Sequence, residues 1–128
     1  NLSPPINMDL KWFQKHLAYT ISKYNMSMIA LGLSAELKQY NIAANALWPK
    51  TTIATAAVNN LLGGEMLMKM SRTVDIIADA AYSILNKPST QCTGNTFIDE
   101  DVLAAEGITD LSKYSVVPGA TLYNDLFV

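Results

Sequence analysis

The amino-acid sequence predicts an α/β fold in which helices flank a parallel sheet. A helical pattern covers about residues 10–40, where apolar residues recur mostly at three- or four-residue steps. Residues 42–48 follow almost at once as a short, mostly apolar run between Asn41 and Pro49, which is typical of a buried strand. Because a helix leads into a buried strand through so short a connection, the pattern indicates an α/β unit with a parallel sheet.

The first predicted helix follows a short extended segment and carries an apolar stripe. Residues 1–3 precede Pro4 and are interpreted as the end of a strand, after which Asn7 or Asp9 can cap the helix. The only histidine, His16, lies in a polar stretch and is interpreted as a solvated or packing residue. The members of the stripe are Phe13, Leu17, Ile21, Met28, Leu31, Ala35 and Leu37.

The segment after the predicted strand is the first place where a ligand can be expected. Residues 49–52 form a loop at the carboxyl end of the strand, and open α/β sheets bind ligands at that edge. Thr51 offers a hydroxyl there, although helix capping explains it equally well. Residues 53–62 are weakly amphipathic up to the Gly-Gly pair at Gly63. The methionine-rich residues 65–70 fit either a mobile lid over a substrate or ordinary core filling.

The last part of the chain predicts a second helix, a second strand and two short turns. The helix covers residues 74–86 and is stopped by Pro88, and the strand covers residues 95–99. Residues 101–106 and 110–114 predict helical turns. The apolar residues of the tail require cover from this domain or from a partner, and they are Leu122, Tyr123, Leu126 and Phe127.

Composition excludes several classes of function. The 128 residues suffice for one small domain, and a hydrophobic content of 50% with 16% charged residues indicates a globular chain. A net charge of −2 without a basic stripe argues against a nucleic-acid surface. No apolar run approaches the ~18 residues of a transmembrane helix. Cys92 is the only cysteine, which excludes an internal disulfide and fits a reducing compartment, and no residue pattern predicts a metal site.

Tyr19 and Lys23 are the residues most suggestive of chemistry. They lie four positions apart in the predicted helix and therefore share a face. An ammonium one turn away favours a phenolate, so it lowers the phenol pKa from its usual value near ~10. A tyrosine with a lowered pKa can act as a general acid or base. Taken alone, the pair is more typical of a solvated helix surface than of a catalytic site.

Together with its neighbours, this pair resembles the second half of the short-chain dehydrogenase/reductase family. Ser3 ends a strand, Tyr19 and Lys23 match the Tyr-x-x-x-Lys motif, and Asn45 with Pro49 is similar to the strand and loop that follow. Thr93-Gly94 with Asp99 resembles the final strand. The chain resembles one branch of the family more closely than the rest, in residues 1–5, 45–50 and 74–84.

The resemblance implies a fold and a set of residue roles. It implies the C-terminal part of a doubly wound, mostly parallel Rossmann-like sheet with flanking helices. Tyr19 is then the acid or base on the substrate oxygen, and Lys23 binds the nicotinamide ribose of NADP or NAD. Ser3 hydrogen-bonds the substrate oxygen. The backbone from Pro49 to Thr52 meets the carboxamide of the cofactor.

Three departures from the family pattern change what we expect of this chain. Fifteen residues separate Ser3 from Tyr19, where about a dozen are usual, and Pro4 stands where one common catalytic serine aligns. Lys50 replaces the glycine that usually follows Pro49. No glycine-rich phosphate-binding turn is present. We therefore expect residues 1–128 to form the C-terminal, catalytic portion of one dehydrogenase domain, without its nucleotide-binding portion.

Two functions from different classes follow. The first is an oxidoreductase that transfers a hydride between NADP or NAD and a carbonyl or alcohol on an apolar, lipid-like substrate. The alternative is a non-catalytic, dehydrogenase-like binding or interaction module with an incomplete cofactor site. The resemblance further implies a possible homo-oligomer that pairs through the first helix, although the stripe around Met28, Leu31 and Ala35 fits packing on the sheet equally well. It suggests a peroxisome or a mitochondrion, and the chain shows no targeting signal.

Overall fold

The computed structural model describes residues 1–128 and confirms the predicted α/β organisation. The chain divides into two units. The first contains Asn1–Trp48, Ile84–Ile98 and Phe127. The second contains Pro49–Ser83, Asp99–Leu126 and Val128. Each unit has its own set of buried apolar side chains.

The first unit is built on parallel strand pairing. Strand β1 (Ala46–Trp48) pairs in parallel with β2 (Thr96–Ile98), and Leu2 forms a parallel bridge with Leu47. The backbone N–H of Ser3 donates to the Leu47 carbonyl at 3.0 Å. The predicted parallel sheet and the strand end at residues 1–3 are therefore confirmed. Strand β1 is shorter than the predicted run of residues 42–48.

The predicted helix over residues 10–40 is interrupted. It consists of α1 (Lys11–Gln14), α2 (Leu17–Glu36) and a 3₁₀ turn at Lys38–Tyr40. In a continuous helix the Trp12 carbonyl would accept the N–H four residues later. Here it accepts the Thr20 hydroxyl at 2.6 Å, and His16 leaves the helical conformation with φ −135°. Asn41 ends the segment in the left-handed conformation, as an asparagine readily does.

The buried face of α2 is not the predicted apolar stripe. The buried residues are Thr20, Tyr24, Ser27 and Ala30, whereas Leu17, Ile21, Met28 and Leu31 are exposed. The hydroxyls of Ser27 and Tyr24 donate to the carbonyls of Pro4 and Asn7, at 2.5 and 2.6 Å. The extended segment beside α2 needs donors for its carbonyls, and hydroxyl side chains supply them. The alternative in which Met28 and Leu31 pack on the sheet is therefore wrong, and the alternative in which this stripe pairs with another copy stays a prediction.

The second unit is mainly helical. A π-helical turn at Val58–Leu62 precedes α3 (Gly64–Lys69), and α4 (Asp75–Leu85) lies in this unit as far as Ser83. Helix α5 (Asp99–Ala105) and a 3₁₀ turn at Ser112–Tyr114 complete it. The predicted second helix, the interruption by the Gly-Gly pair and the two late turns are confirmed. No helix is both long enough and apolar enough to cross a membrane.

Tyr114 anchors the core of the second unit. It is buried, and its hydroxyl donates to Asp79 at 2.6 Å. The tail runs along residues 50–52 of the same unit, where the Thr52 N–H donates to the Tyr123 carbonyl at 2.9 Å. The apolar residues buried with Tyr114 in this unit are Ile53, Val58, Ile76, Ala80, Val102 and Leu103.

Candidate active site

The structure brings Tyr19 and Lys23 together on α2 of the first unit. The Lys23 Nζ lies 6.0 Å from the centroid of the Tyr19 ring and 5.3 Å from that of Trp48. It donates to the Leu2 carbonyl at 3.2 Å, which holds the ammonium at the end of the first extended segment. Tyr19 remains 43% exposed. The predicted shared face of the pair is therefore present, with a cation beside an accessible phenol.

Tyr24, one turn further along α2, provides an internal contrast to Tyr19. It is buried, its hydroxyl donates to the Asn7 carbonyl at 2.6 Å, and the same oxygen accepts the Asn7 N–H at 3.2 Å. Burial raises the pKa of Tyr24 above its usual value, although the hydrogen bond to Asn7 opposes this. Tyr24 is therefore a structural tyrosine.

Phe127 lies at the centre of an aromatic cluster. Its ring contacts those of Trp12, Tyr19, Tyr24 and Trp48, with centroid distances of 5.4, 6.2, 5.2 and 5.9 Å. We call these five residues the aromatic cluster. The Phe127 ring is nearly parallel to that of Tyr19, at 16°, and is tilted by 52–59° to the other three. Aromatic rings therefore lie along one side of the Tyr19 ring.

The backbone of Phe127 shows how firmly the aromatic cluster holds this ring. Its φ of 72° is in the left-handed region, which a bulky side chain rarely adopts and which costs about 1–3 kcal/mol. Each aromatic pair contributes about 0.5–1.5 kcal/mol beyond the area that it buries, and the ring is only 3% exposed. Four such pairs outweigh the strain, so the ring stays in place.

Ser3 is in the first unit but is fully buried. No side-chain or backbone group hydrogen-bonds to its hydroxyl oxygen, although its N–H pairs with Leu47. A buried hydroxyl without a partner is uncommon in a folded chain, and a role in catalysis is one explanation for such a group. The catalytic assignment of Ser3 stays a prediction.

Pro49 and Thr52 lie in the second unit, and both are buried. The Thr52 hydroxyl shares a hydrogen bond of 2.8 Å with that of Ser71. Its N–H is taken by the Tyr123 carbonyl. The loop is therefore rigidly bonded, and its assignment to the cofactor stays a prediction.

Asp99 fixes the start of this loop. Its Oδ1 accepts the N–H groups of Lys50 and Glu100, each at 2.8 Å, whereas its Oδ2 is buried without a partner. Burial raises the pKa of Asp99 from 3.8 to about 6, and the negative charge of Glu100 adds to this. The two backbone hydrogen bonds and the positive charge of Arg72 act in the opposite direction. The carboxylate therefore sits at the N-terminus of α5 at an electrostatic cost.

Arg72 belongs to the same buried polar network of the second unit. Its Nη2 lies 2.8 Å from Glu100 Oε1, its Nε donates to the same oxygen at 3.0 Å, and its Nη1 donates to the Leu111 carbonyl at 2.8 Å. The guanidinium side chain is only 9% exposed. Its donors are committed within the unit, so Arg72 is a structural cation.

The fit of a nicotinamide cofactor can be judged at Lys23 in the first unit. An ammonium has three N–H donors, of which the Leu2 carbonyl and, more weakly, the Met26 sulfur use two, so one is left for a ribose hydroxyl. Lys23 therefore fits the group that the resemblance implies. No group of three or more His, Cys, Asp or Glu side chains is placed to hold a metal ion.

Sequence reasoning did not identify Phe127 or Asp99 as members of a site. Phe127 was predicted only to need cover, and Asp99 only to mark a final strand. The contacts of Phe127 span about a hundred residues, so no local spacing reveals them. Asp99 gave a usable signal, because an aspartate before a helical turn is a typical N-cap.

Comparison with curated proteins confirms the resemblance seen in the sequence. The chain is 57% identical over 128 residues to hydroxysteroid dehydrogenase-like protein 2 of Xenopus tropicalis, and 52% identical to the protein of the same name from Homo sapiens. Each match covers 100% of this chain and 30% of the relative, so the chain spans less than a third of the length of these relatives. No protein-family model matches the chain.

Two solved structures share the fold. A short-chain dehydrogenase of Mycobacterium thermoresistibile has a TM-score of 0.87 and 54% sequence identity, covering 99% of this chain and 45% of that one. A protein of Xanthomonas campestris described as a dehydrogenase has a TM-score of 0.91 and 43% identity, covering 99% and 46%. The predicted Rossmann-like fold class is therefore confirmed.

Proposed function

Because this chain is related to the short-chain dehydrogenases, we propose that residues 1–128 supply the catalytic portion of an oxidoreductase of that type. The proposed reaction interconverts a carbonyl and an alcohol on an apolar, lipid-like substrate. The proposal concerns the whole protein that contains the chain.

The observation that carries the proposal is the geometry of Tyr19 and Lys23. In reduction the Tyr19 hydroxyl donates its proton to the substrate oxygen, and in oxidation its oxygen accepts one. The Lys23 ammonium, 6.0 Å from the Tyr19 ring, stabilises negative charge that develops on the phenol oxygen. Lys23 also has one donor left for a ribose, because the Leu2 carbonyl and the Met26 sulfur take two of its three.

The remaining assignments follow from the resemblance. When bound, the reduced form of NADP or NAD would supply the hydride for reduction of a carbonyl, and the oxidised form would accept it in oxidation of an alcohol. Ser3 hydrogen-bonds the substrate oxygen, which would give its buried hydroxyl the partner it lacks. The backbone at Pro49 and Thr52 contacts the carboxamide of the cofactor.

The substrate class follows from the surroundings of Tyr19. Its ring lies against Phe127, and Trp12 and Trp48 belong to the same cluster. The apolar rings beside Tyr19 support an apolar group next to the reacting carbon. The relatives are named for hydroxysteroids, and we propose only the wider class of apolar carbonyls and alcohols.

The test compares two tyrosines of α2 in the complete natural protein. We expect Tyr19→Phe to lower the oxidation of reduced NADP or NAD with a panel of long-chain aldehydes and ketones by at least about 100-fold. Tyr24→Phe is the matched control, because it removes a hydroxyl that is bonded to Asn7. It should cost about 1 kcal/mol of stability and leave turnover within about twofold.

Two results would reject the proposal. Undiminished turnover by Tyr19→Phe would remove the tyrosine from the reaction. A wild-type protein that turns over no panel member and binds no nicotinamide cofactor in a calorimetric titration would favour the alternative, a non-catalytic, dehydrogenase-like interaction module.

We further propose that a second copy of the protein covers the exposed apolar side of α2. Met28 is 52% exposed there, and Leu31 is 39% exposed. We expect Met28→Glu with Leu31→Glu to lower the oligomeric mass in sedimentation, whereas Ser22→Glu, at an exposed polar position of α2, should not. An unchanged mass would exclude this interface. The compartment, a peroxisome or a mitochondrion, is proposed from the resemblance alone, and imaging of the tagged protein checks it.

A further inference from the structure

Phe127 makes one ring contact that differs from its others. It stacks nearly parallel to Tyr19, with 16° between the planes, whereas Trp12, Tyr24 and Trp48 meet it at tilts of 52–59°. The three tilted contacts fix the position of the Phe127 ring. The parallel contact is an offset stack with ring centroids 6.2 Å apart, and such a stack favours one orientation of the Tyr19 ring.

The exposed fractions of Phe127 and Tyr19 indicate which of the two rings is fixed in position. Phe127 is 3% exposed and is held by four rings, whereas Tyr19 is 43% exposed. An exposed side chain on a helix surface can change rotamer readily, but a ring packed on every side cannot. Phe127 is therefore the fixed member of the pair.

The backbone conformation of Phe127 also indicates that its ring is fixed in position. Only two non-glycine residues have positive φ, Asn41 at 57° and Phe127 at 72°. Asparagine tolerates this conformation, whereas a phenylalanine adopts it only where the surrounding structure imposes it. The strained backbone therefore aims the Phe127 ring into the aromatic cluster.

We propose that Phe127 is a positioning residue that holds the Tyr19 ring in the plane required for proton transfer. The inference rests on the proposed function of Tyr19. Proton transfer needs the phenol oxygen within hydrogen-bond reach of the substrate oxygen, and small displacements from that geometry lower the rate steeply. Phe127 itself is buried and touches no reacting atom.

The test uses variants that separate the aromatic stack from simple burial. Phe127→Leu keeps an apolar side chain but removes the stacked ring. We expect it to lower kcat of the complete protein by about 2- to 12-fold, the equivalent of one aromatic pair, with the KM for substrate unchanged. Phe127→Tyr keeps the ring but adds a hydroxyl at a buried position, so it should retain kcat within about twofold while unfolding at a lower temperature than wild type.

Phe13→Leu is the matched control within the same unit. The Phe13 ring packs edge-on against Tyr24, with centroids 5.8 Å apart and 77° between the planes, and makes no ring contact with Tyr19. Its replacement removes one aromatic pair near the cluster and should leave kcat within about twofold.

Three outcomes distinguish the inference from its premise. Equal kcat values for Phe127→Leu and Phe13→Leu, or activity that follows the unfolding temperature across all three variants, would overturn the positioning role. If Tyr19→Phe is fully active, the proposed function fails first. If Tyr19→Phe is inactive and Phe127→Leu matches wild type in kcat, only the inference about Phe127 fails.

Discussion

The surroundings of Tyr19 and of Asp99 differ in how their charged side chains are bonded. Beside Tyr19 in the first unit, the ammonium of Lys23 lies near aromatic faces and donates to the Leu2 carbonyl and weakly to the Met26 sulfur. Around Asp99 in the second unit, Asp99 and Arg72 are buried, Glu100 is partly buried, and these groups are bonded to one another or to backbone groups. The first arrangement leaves a donor for a ligand, and the second leaves almost none.

This difference separates groups that can do chemistry from groups that hold the fold. A buried ion pair is worth little beyond well-packed apolar residues, but losing one partner leaves an uncompensated charge. A cation that is half-buried beside rings is less essential to folding and more available to a ligand. We therefore expect changes in the second unit to alter stability, and changes near Tyr19 to alter function.

The largest effect on stability is expected for Arg72→Met. The change leaves the partly buried Glu100, whose side chain is 27% exposed, without its cation and the Leu111 carbonyl without its donor, which should cost about 3 kcal/mol in urea unfolding. Lys11→Met is the control. Its exposed ion pair with Asp9, at 3.6 Å, is worth less than about 1 kcal/mol. If Arg72→Met lowers the free energy of unfolding no more than Lys11→Met does, the buried network of the second unit is not more important for stability than an exposed ion pair.

The next effect is the pH dependence that Asp99 imposes. Its pKa in the folded protein is about 6, above the usual 3.8, so the native state holds a proton that the unfolded chain releases between these values. The stability that this proton confers is complete below pH 3.8 and is lost as the pH rises through about 6, by at most about 3 kcal/mol. Asp99→Asn should flatten this part of the stability profile.

Asp101→Asn provides the control for that measurement. Asp101 lies in the same helix, α5, but is exposed. Urea midpoints between pH 4 and 7.5 should keep the wild-type slope in this variant. If Asp99→Asn shows the same slope as Asp101→Asn, ionised Asp99 is not the destabilising group.

Lys23→Met sharpens the comparison because it makes the same change as Arg72→Met in the other region. Lys23 donates to the Leu2 carbonyl at 3.2 Å and weakly to Met26 Sδ at 4.0 Å, and its Nζ lies 5.3 Å from the centroid of the Trp48 ring. These are weak contacts, so we expect a stability loss of about 1 kcal/mol or less. Turnover and cofactor affinity should each fall at least about tenfold, measured by steady-state kinetics and calorimetry. A variant that is destabilised like Arg72→Met would make Lys23 a structural cation.

Ser3→Ala is expected to have the smallest effect on stability. The hydroxyl has no partner to lose, so the free energy of unfolding should change by less than about 0.5 kcal/mol. If Ser3 contacts the substrate oxygen, kcat/KM should fall about 2- to 10-fold. Unchanged kinetics would show that Ser3 does not hydrogen-bond the substrate oxygen.

Local patterns predicted most of the secondary structure. The short connection at Asn41 and the stop at Pro88 act within a few residues, and each is confirmed. Local spacing identified the apolar stripe of α2 but not its buried face. Hydrophobic periodicity assumes that the neighbour of a helix is apolar, whereas α2 packs against residues 4–12, whose carbonyls accept hydrogen bonds. Tyr24 and Ser27 donate to the extended segment, and Thr20 donates to the Trp12 carbonyl in α1.

The sequence by itself determined the parallel α/β organisation and the shared face of Tyr19 and Lys23, because helical and strand periodicity act over one or two turns. Only the tertiary structure decided that Phe127 stacks on Tyr19 and that Asp99 and Arg72 are buried. Those features depend on contacts between residues that are distant in the chain. Their energies come from burial and charge, which no local spacing specifies.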